Sequence, residues 1–116
     1  MREWNSLKKS EDFLKVYRQG RSYGNKLLVL YVLENGESET GRLGVSVSKK
    51  VGNSVVRHRL RRLIKESFRL HESEWAKADV VVVARREAVG KSYAEIEQAL
   101  LHVGKKTRIW LKGEMV

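Results

Sequence analysis

The chain has 116 residues, enough for one domain with its own hydrophobic core, and its 24 Lys and Arg against 14 Asp and Glu give a formal net charge of +10. It contains no Cys, which excludes a disulfide framework, a thiolate metal site and a Cys nucleophile. Its longest apolar run, Leu27 to Leu33, is too short to span a bilayer, and the residues after Met1 lack the pattern of a secretory signal. We therefore expect a cytoplasmic protein that binds a polyanion rather than a membrane.

Apolar spacing and end signals predict six secondary-structure elements. In chain order they are a helix over 10–19, strands over 27–33 and 42–48, a helix over 53–70, a strand over 79–84 and a helix over 93–111. Ser10 and Asn53 are suited to cap the first two helices, and Ser92 with Glu95 forms a capping-box motif for the third.

The order of these elements also predicts how the strands pair. A polar turn at 35–41 separates strand 42–48 from strand 27–33, and we expect these two strands to be antiparallel neighbours. The helix between strand 42–48 and strand 79–84 predicts a parallel pair with one crossover.

The segment from Lys49 to Arg69 concentrates the charge, with eight basic residues and one acid. In the helix over 53–70 the apolar residues fill one stripe and the basic residues fill the opposite side. A charged face that is merely solvated usually mixes both signs, so this face favours phosphate binding. Lys49 and Lys50 add two cations beside the N-terminus of this helix, where Asn53 is the predicted cap. The predicted nucleic-acid contacts are Lys49, Lys50, Asn53, Arg57, His58, Arg59, Arg61, Arg62 and Lys65.

Aromatic residues near the first helix offer a second kind of contact. Phe13 and Tyr17 share one face of that helix, and Tyr31 lies with Val29 on one side of strand 27–33. Exposed rings could stack on the bases of a single strand, but residue type alone favours core packing for each ring.

Catalysis by the protein itself is not expected. The chain has only two Asp, Asp12 and Asp79, and its three His have no metal-ligand spacing. A metal-dependent nuclease needs a convergent carboxylate cluster, and none is visible at motif spacing. His58 among Arg side chains leaves a general base as a minor alternative.

The stretch from Arg42 to Arg69, with a Ser-Lys-Lys-x-Gly turn before a basic helix, resembles the protein subunit family of bacterial ribonuclease P and its RNR signature. The likeness extends to 7–17, Gly20 and 79–85, and so runs over most of the chain. The family has Asn where this sequence has His58, a side chain of different reach and charge.

The resemblance implies an α+β fold in a single domain over residues 1–116. The implied architecture is an αβββαβα two-layer sandwich like that of ribosomal protein S5 domain 2, with a left-handed β-α-β crossover around the basic helix. The general rule for parallel strands would predict a right-handed crossover.

The resemblance also implies a function, that of a non-catalytic subunit of an RNA-based endoribonuclease. A monomer would bind one catalytic RNA through the basic helix, hold the 5′ leader of precursor tRNA in a cleft, and assist removal of that leader. The RNA would carry out the phosphodiester chemistry and would bind most of the Mg²⁺. The protein alone would hold no metal ion. The implied cleft residues are Phe13, Tyr17, Val29, Tyr31, Ser46 and Ser48.

Two other classes compete with this interpretation. One is a ribosome-associated or assembly protein that binds RNA structurally. The other is a DNA-binding protein with helix 53–70 in a major groove, which is disfavoured because strand 42–48 runs straight into that helix and leaves no preceding docking helix.

Overall fold

A computed structural model describes residues 4–34 and 40–110, so most of the turn predicted at 35–41 lies outside the described residues. The strands are β1 (Trp4–Ser6), β2 (Arg21–Gly24), β3 (Leu28–Leu33), β4 (Gly41–Ser46) and β5 (Asp79–Ala84), and the helices are α1 (Ser10–Gln19), α2 (Ser54–Leu70) and α3 (Tyr93–Lys106). After β1 the order is αβββαβα, as the resemblance implies. None of the helices in this part of the chain is long and apolar enough to cross a membrane.

The five strands form one mixed sheet in the spatial order β1-β4-β5-β3-β2. β4 and β5 are parallel neighbours joined through α2, which confirms the predicted crossover pair. The predicted antiparallel pairing of 42–48 with 27–33 is wrong, because β5 lies between β4 and β3 and is antiparallel to β3. Val80, Val81 and Val82 are all fully buried, and a strand that is apolar on both sides belongs in the centre of a sheet covered on both faces. The left-handed sense of the β4-α2-β5 crossover remains a prediction.

Helices cover both faces of this sheet. Alternate residues of β3, Leu28, Leu30 and Val32, pack in the main core with α2 and α3. α1 packs on the other face, where Val16 is buried in a smaller cluster with Val81. The two layers that the resemblance implies are therefore the sheet and the α2–α3 pair, and α1 adds a partial third layer.

The edge strands β1 and β2 are the elements that the sequence pattern does not predict. β1 has three residues, and all four residues of β2 are exposed, so neither has an apolar alternation. β1 pairs parallel with β4, and β2 pairs antiparallel with β3.

Two predicted helix ends differ from the structure. α1 has Lys9 rather than Ser10 at its N-cap. α3 ends at Lys106 rather than at 111, because Arg108 adopts a φ of 66° and the amides of the next two residues turn back to the Gly104 carbonyl. The Asn53 cap and the capping box of α3 are confirmed.

Candidate nucleic-acid interface

The amphipathic character predicted for the helix over 53–70 is confirmed in α2. Leu60, Ile64 and Phe68 are buried against the sheet and α3, as is Ser67, whose hydroxyl donates to the carbonyl of Leu63. Burial of this stripe fixes the orientation of the helix, so the opposite side of α2 must face solvent. We define the basic face as the cationic side chains on that side: Arg57, Arg59, Arg61, Arg62, Lys65 and Arg69.

The charge of the basic face is not neutralised by the protein. Arg57 and Arg61 are half-buried and the other four side chains are exposed, as is His58 among them. Within 4–34 and 40–110, none of these cations forms an ion pair with an acid. Some are instead oriented by backbone carbonyls: Arg57 donates to Gly52 at 3.2 Å and Arg59 donates to Lys91 at 3.1 Å. Cations that are held in place but unpaired are suited to phosphate oxygens.

The turn before α2 extends the basic face. Lys49 and Lys50 are both exposed there. The Asn53 side-chain oxygen accepts a hydrogen bond from the backbone amide of Val56 at 3.0 Å, so Asn53 caps the helix. Its predicted contact with nucleic acid remains a prediction, whereas the two Lys side chains are free to approach a phosphate backbone.

On the other face of the sheet, α1 crosses the strands with two aromatic rings along one side. The Phe13 ring lies on Gly44 of β4, where a Cβ added to the glycine would stand only 2.6 Å from the Cζ atom of the ring. Tyr17 meets Tyr31 of β3 edge to face, with ring centroids 4.8 Å apart. All three rings are half-buried, so each one packs on the sheet and keeps part of its surface accessible.

Beyond these rings lies a row of small and apolar residues that α1 leaves partly uncovered. The strand register sets Ser46 beside Val83, Val83 beside Val29, and Val29 beside Gly24. We name these four residues the floor row. None of them is fully buried, so the floor row and the aromatic side of α1 form a shallow cleft.

A groove of about 450 Å³ opens at the β4 end of this cleft. Its lining residues are Lys8, Ser10, Phe13, Leu14, Tyr17, Val45, Ser46, Val47 and Arg61. Of the residues predicted for the cleft, Phe13, Tyr17 and Ser46 line this groove. Val29 and Tyr31 lie on the same sheet face but nearer β2, and Ser48 is exposed just beyond the end of β4.

The groove and the basic face meet at Arg61. This side chain lines the groove, and its Nη2 lies 3.5 Å from the carbonyl of Val47. Sequence spacing placed Arg61 on the basic helix but gave no reason to place it beside the rings of α1. Lys8 and Leu14 were also missed as groove residues, although Leu14 is apolar and lies outside the buried side of α1, with 47% of its surface exposed.

Both Asp residues of the chain are bound by one arginine. Arg42 donates to the two carboxylate oxygens of Asp79 at 2.9 and 2.6 Å, and to Asp12 of α1 at 3.2 Å. The bonds to Asp79 raise the pKa of the Arg42 guanidinium, which keeps it charged. Within the described ranges no group of three or more His, Asp or Glu side chains could hold a metal ion. Through Arg42, these bonds connect α1 with β4 and β5.

The fold and the surface together define a class: a small α+β nucleic-acid-binding protein that joins a basic helix to an aromatic groove. The family model for ribonuclease P matches residues 1–108. The chain is 54% identical over 110 residues to the ribonuclease P protein component of Lachnoclostridium phytofermentans, covering 94% of each chain. It is 49% identical to that of Alkaliphilus metalliredigens, covering 94% of this chain and 98% of the relative.

Solved structures agree with these relatives. The RNase P protein of Staphylococcus aureus superposes with a TM-score of 0.85 at 38% identity, covering 90% of this chain and 96% of that one. The RNase P protein of Thermotoga maritima superposes with a TM-score of 0.79 at 28% identity, covering 88% of this chain and 96% of that one. The chain belongs to the ribonuclease P protein family, whose members are the protein subunit of the ribonuclease that processes the 5′ end of tRNA.

Proposed function

We propose that this subunit binds two RNAs at once: the catalytic RNA on the basic face and the 5′ leader of precursor tRNA in the cleft of α1 and the floor row. The observation that carries the proposal is the junction at Arg61, where the unpaired cations of α2 continue into the aromatic groove. A protein that bridges two polyanions needs positive charge where they approach each other, and Arg61 lies at that point.

The basic face is suited to structured RNA because its cations follow one helix in a regular array. Such an array meets successive phosphates through charge and directed N–H donors, without reading the bases. The exposed Lys49 and Lys50 extend it by one turn. This chain has His58 where the family signature has Asn, so any contact there is made by an imidazole.

The cleft is suited to a single strand rather than a duplex. The partly accessible rings of Phe13 and Tyr17 stand beside a floor row that carries no charge. Unpaired bases can stack or pack on such a surface, whereas the bases of a duplex are already stacked on one another.

The protein contributes no catalytic group in this proposal. Asp12 and Asp79 are engaged by Arg42, so neither is available to hold a metal at the cleft. Mg²⁺ and the attack on the phosphodiester belong to the RNA subunit, and one protein monomer assists it in the cytoplasm.

Reconstitution with a bacterial ribonuclease P RNA and a precursor tRNA tests the proposal. At low Mg²⁺ the protein should restore leader cleavage that the RNA alone performs only at high Mg²⁺. A ribosome-associated or assembly protein would leave cleavage unchanged, and that outcome would overturn the proposal.

Tyr17→Ala tests the cleft within the same holoenzyme. Loss of one stacking ring should weaken binding of precursor tRNA by about ten-fold and leave mature tRNA binding unchanged. Tyr23→Ala is the matched control, because Tyr23 is exposed on β2 but packs edge to face with His102 of α3, on the other side of the sheet. Equal losses for precursor and mature tRNA would contradict leader binding at α1.

A further inference from the structure

A small hollow lies beside the edge strand β1, on the α2 side of the sheet. It has a volume of about 100 Å³ and is bordered by β1, by Leu43 of β4 and by the C-terminal half of α2. None of the residues that line it also lines the groove beside α1, so the hollow is a separate feature of the surface.

Aromatic and apolar side chains form the inner wall of the hollow. The buried rings of Trp4 and Phe68 meet there edge to face, with centroids 4.8 Å apart, and Leu43 is half-buried beside them. The Cε3, Cζ3 and Cη2 atoms of Trp4 lie against Gly41, so Nε1 is at the other end of the indole. This Nε1 is buried, and no group in the described part of the chain accepts its hydrogen. A ligand that brings an acceptor to this N–H would remove the cost of leaving it unpaired.

Polar and charged side chains form the rim. Lys65 and Arg69 of the basic face are exposed there, together with Ser6 of β1, and Glu72 of the 3-10 turn after α2 is half-buried. Within 4–34 and 40–110, neither cation is in an ion pair with an acid, and Glu72 is in none. The rim thus combines positive charge for a phosphate with a hydroxyl and a carboxylate for the polar edge of a ring.

The volume of the hollow limits the group that fits it. An enclosed cavity of about 150 Å³ accepts a benzene ring. The hollow is smaller but its rim is exposed, so one six-membered ring can enter in part, whereas a bicyclic purine is too large. A single polar ring that is joined to a phosphate is a pyrimidine nucleotide.

We propose that the hollow binds an unpaired pyrimidine nucleotide of the RNA subunit, with the base against Trp4 and Phe68 and the phosphate on Lys65 and Arg69. The inference rests on the proposed function, because it continues the RNA contact of the basic face past the C-terminal half of α2. Cations along a helix meet phosphates of any sequence, whereas this contact requires a base that is not held in a duplex.

The first test uses the unmodified protein with free nucleotides, and follows the indole N–H resonances in a nitrogen–proton correlation spectrum. UMP and CMP should shift the resonance of Trp4 but not that of Trp75, whose Nε1 already donates to the Phe68 carbonyl at 3.0 Å. UMP should bind about ten-fold more tightly than ribose phosphate, which lacks the base. AMP should bind no better than ribose phosphate. No shift of Trp4 with UMP, or equal binding of UMP and either of the other two compounds, would overturn the proposal.

The second test measures the Kd of the protein for a ribonuclease P RNA. Ser6→Leu fills the hollow from β1 and should raise this Kd about ten-fold, the loss expected for one base contact. Ser22→Leu is the matched control, because Ser22 is an exposed serine of β2 at the opposite edge of the sheet. An unchanged Kd in Ser6→Leu, or an equal loss in Ser22→Leu, would contradict the site.

Arg61→Ala with Arg62→Ala in the same assay separates this failure from failure of the proposed function. If the double variant weakens RNA binding and Ser6→Leu does not, the RNA subunit uses the basic face without the hollow. If neither weakens it, binding of the RNA subunit on the basic face is itself wrong.

Discussion

The contact between Phe13 and Gly44 determines where one wall of the cleft stands, and Gly44→Ala tests it. The added methyl would lie 2.6 Å from Cζ and 2.7 Å from Cε1 of the Phe13 ring, and 3.2 Å from Cβ of Leu7. Carbon atoms pack at about 3.5–4.0 Å, so the ring must move by roughly 1 Å. Because the groove is open beside the ring, we expect Phe13 to swing toward the groove rather than into the core.

The expected cost follows from that freedom. Overpacking a core lowers the free energy of unfolding by about 1–3 kcal/mol. Because the Phe13 ring is half-buried with open space beside it, we expect Gly44→Ala to lower that free energy by about 1 kcal/mol. For a domain of this size that corresponds to a fall in Tm of about 4 °C in a thermal unfolding scan. The displaced ring should also narrow the groove, so affinity for precursor tRNA should fall while affinity for the RNA subunit stays unchanged.

A double-mutant cycle decides whether the ring is the cause. In a Phe13→Ala background the methyl at position 44 occupies vacated space, so the cost of Gly44→Ala should vanish, giving a coupling energy of about 1 kcal/mol. If Gly44→Ala costs the same in both backgrounds, the close approach between Phe13 and Gly44 is not what limits the size of this residue.

The basic face, the Arg42 contacts and the cap of α3 each make a separate prediction. Arg61→Ala with Arg62→Ala should flatten the slope of log Kd against log salt for RNA-subunit binding by about two, and an unchanged slope would place the RNA elsewhere. Arg42→Met should lower the free energy of unfolding in urea by about 2–3 kcal/mol, because it removes both guanidinium hydrogen bonds to the buried carboxylate of Asp79. An equal cost in an Asp79→Asn background would contradict this. Hydrogen bonds from the N-cap lower the pKa of Glu95, so its stabilisation is present above the ordinary carboxyl pKa and is lost as pH falls through the lowered value. Wild type and Glu95→Gln should therefore converge in Tm between about pH 6 and about pH 3, and a constant difference over that range would refute the role of the cap.

The structure shows how the two proposed RNA sites are held in fixed positions relative to each other. α2 is held by its apolar stripe, α1 is held by Arg42 and by its rings, and both helices border the same strand, β4. The two proposed RNA sites thus share one rigid frame, so an RNA bound on α2 stands at a set position relative to a strand in the cleft.

Local spacing along the chain was enough to predict the helices, three of the strands and the basic face. The apolar stripe of α2 repeats at the helical period, which shows which side of the helix is buried. In the strand Asp79–Ala84 four consecutive valines show that both sides of the strand are buried. Spacing did not predict β1 and β2, because their pairing comes from neighbours in the sheet and not from a periodic pattern of their own.

The meeting of distant residues could not be derived from spacing. Arg42 binds Asp12 and Asp79, which are 30 and 37 residues away, and Arg61 reaches a groove lined by Phe13. These contacts depend on β5 lying between β4 and β3, and local hydrophobic patterns carry no information on strand order. Residue type and spacing therefore show which surfaces are apolar and which are basic, whereas the packing of α1 across the sheet places an aromatic cleft beside the basic helix.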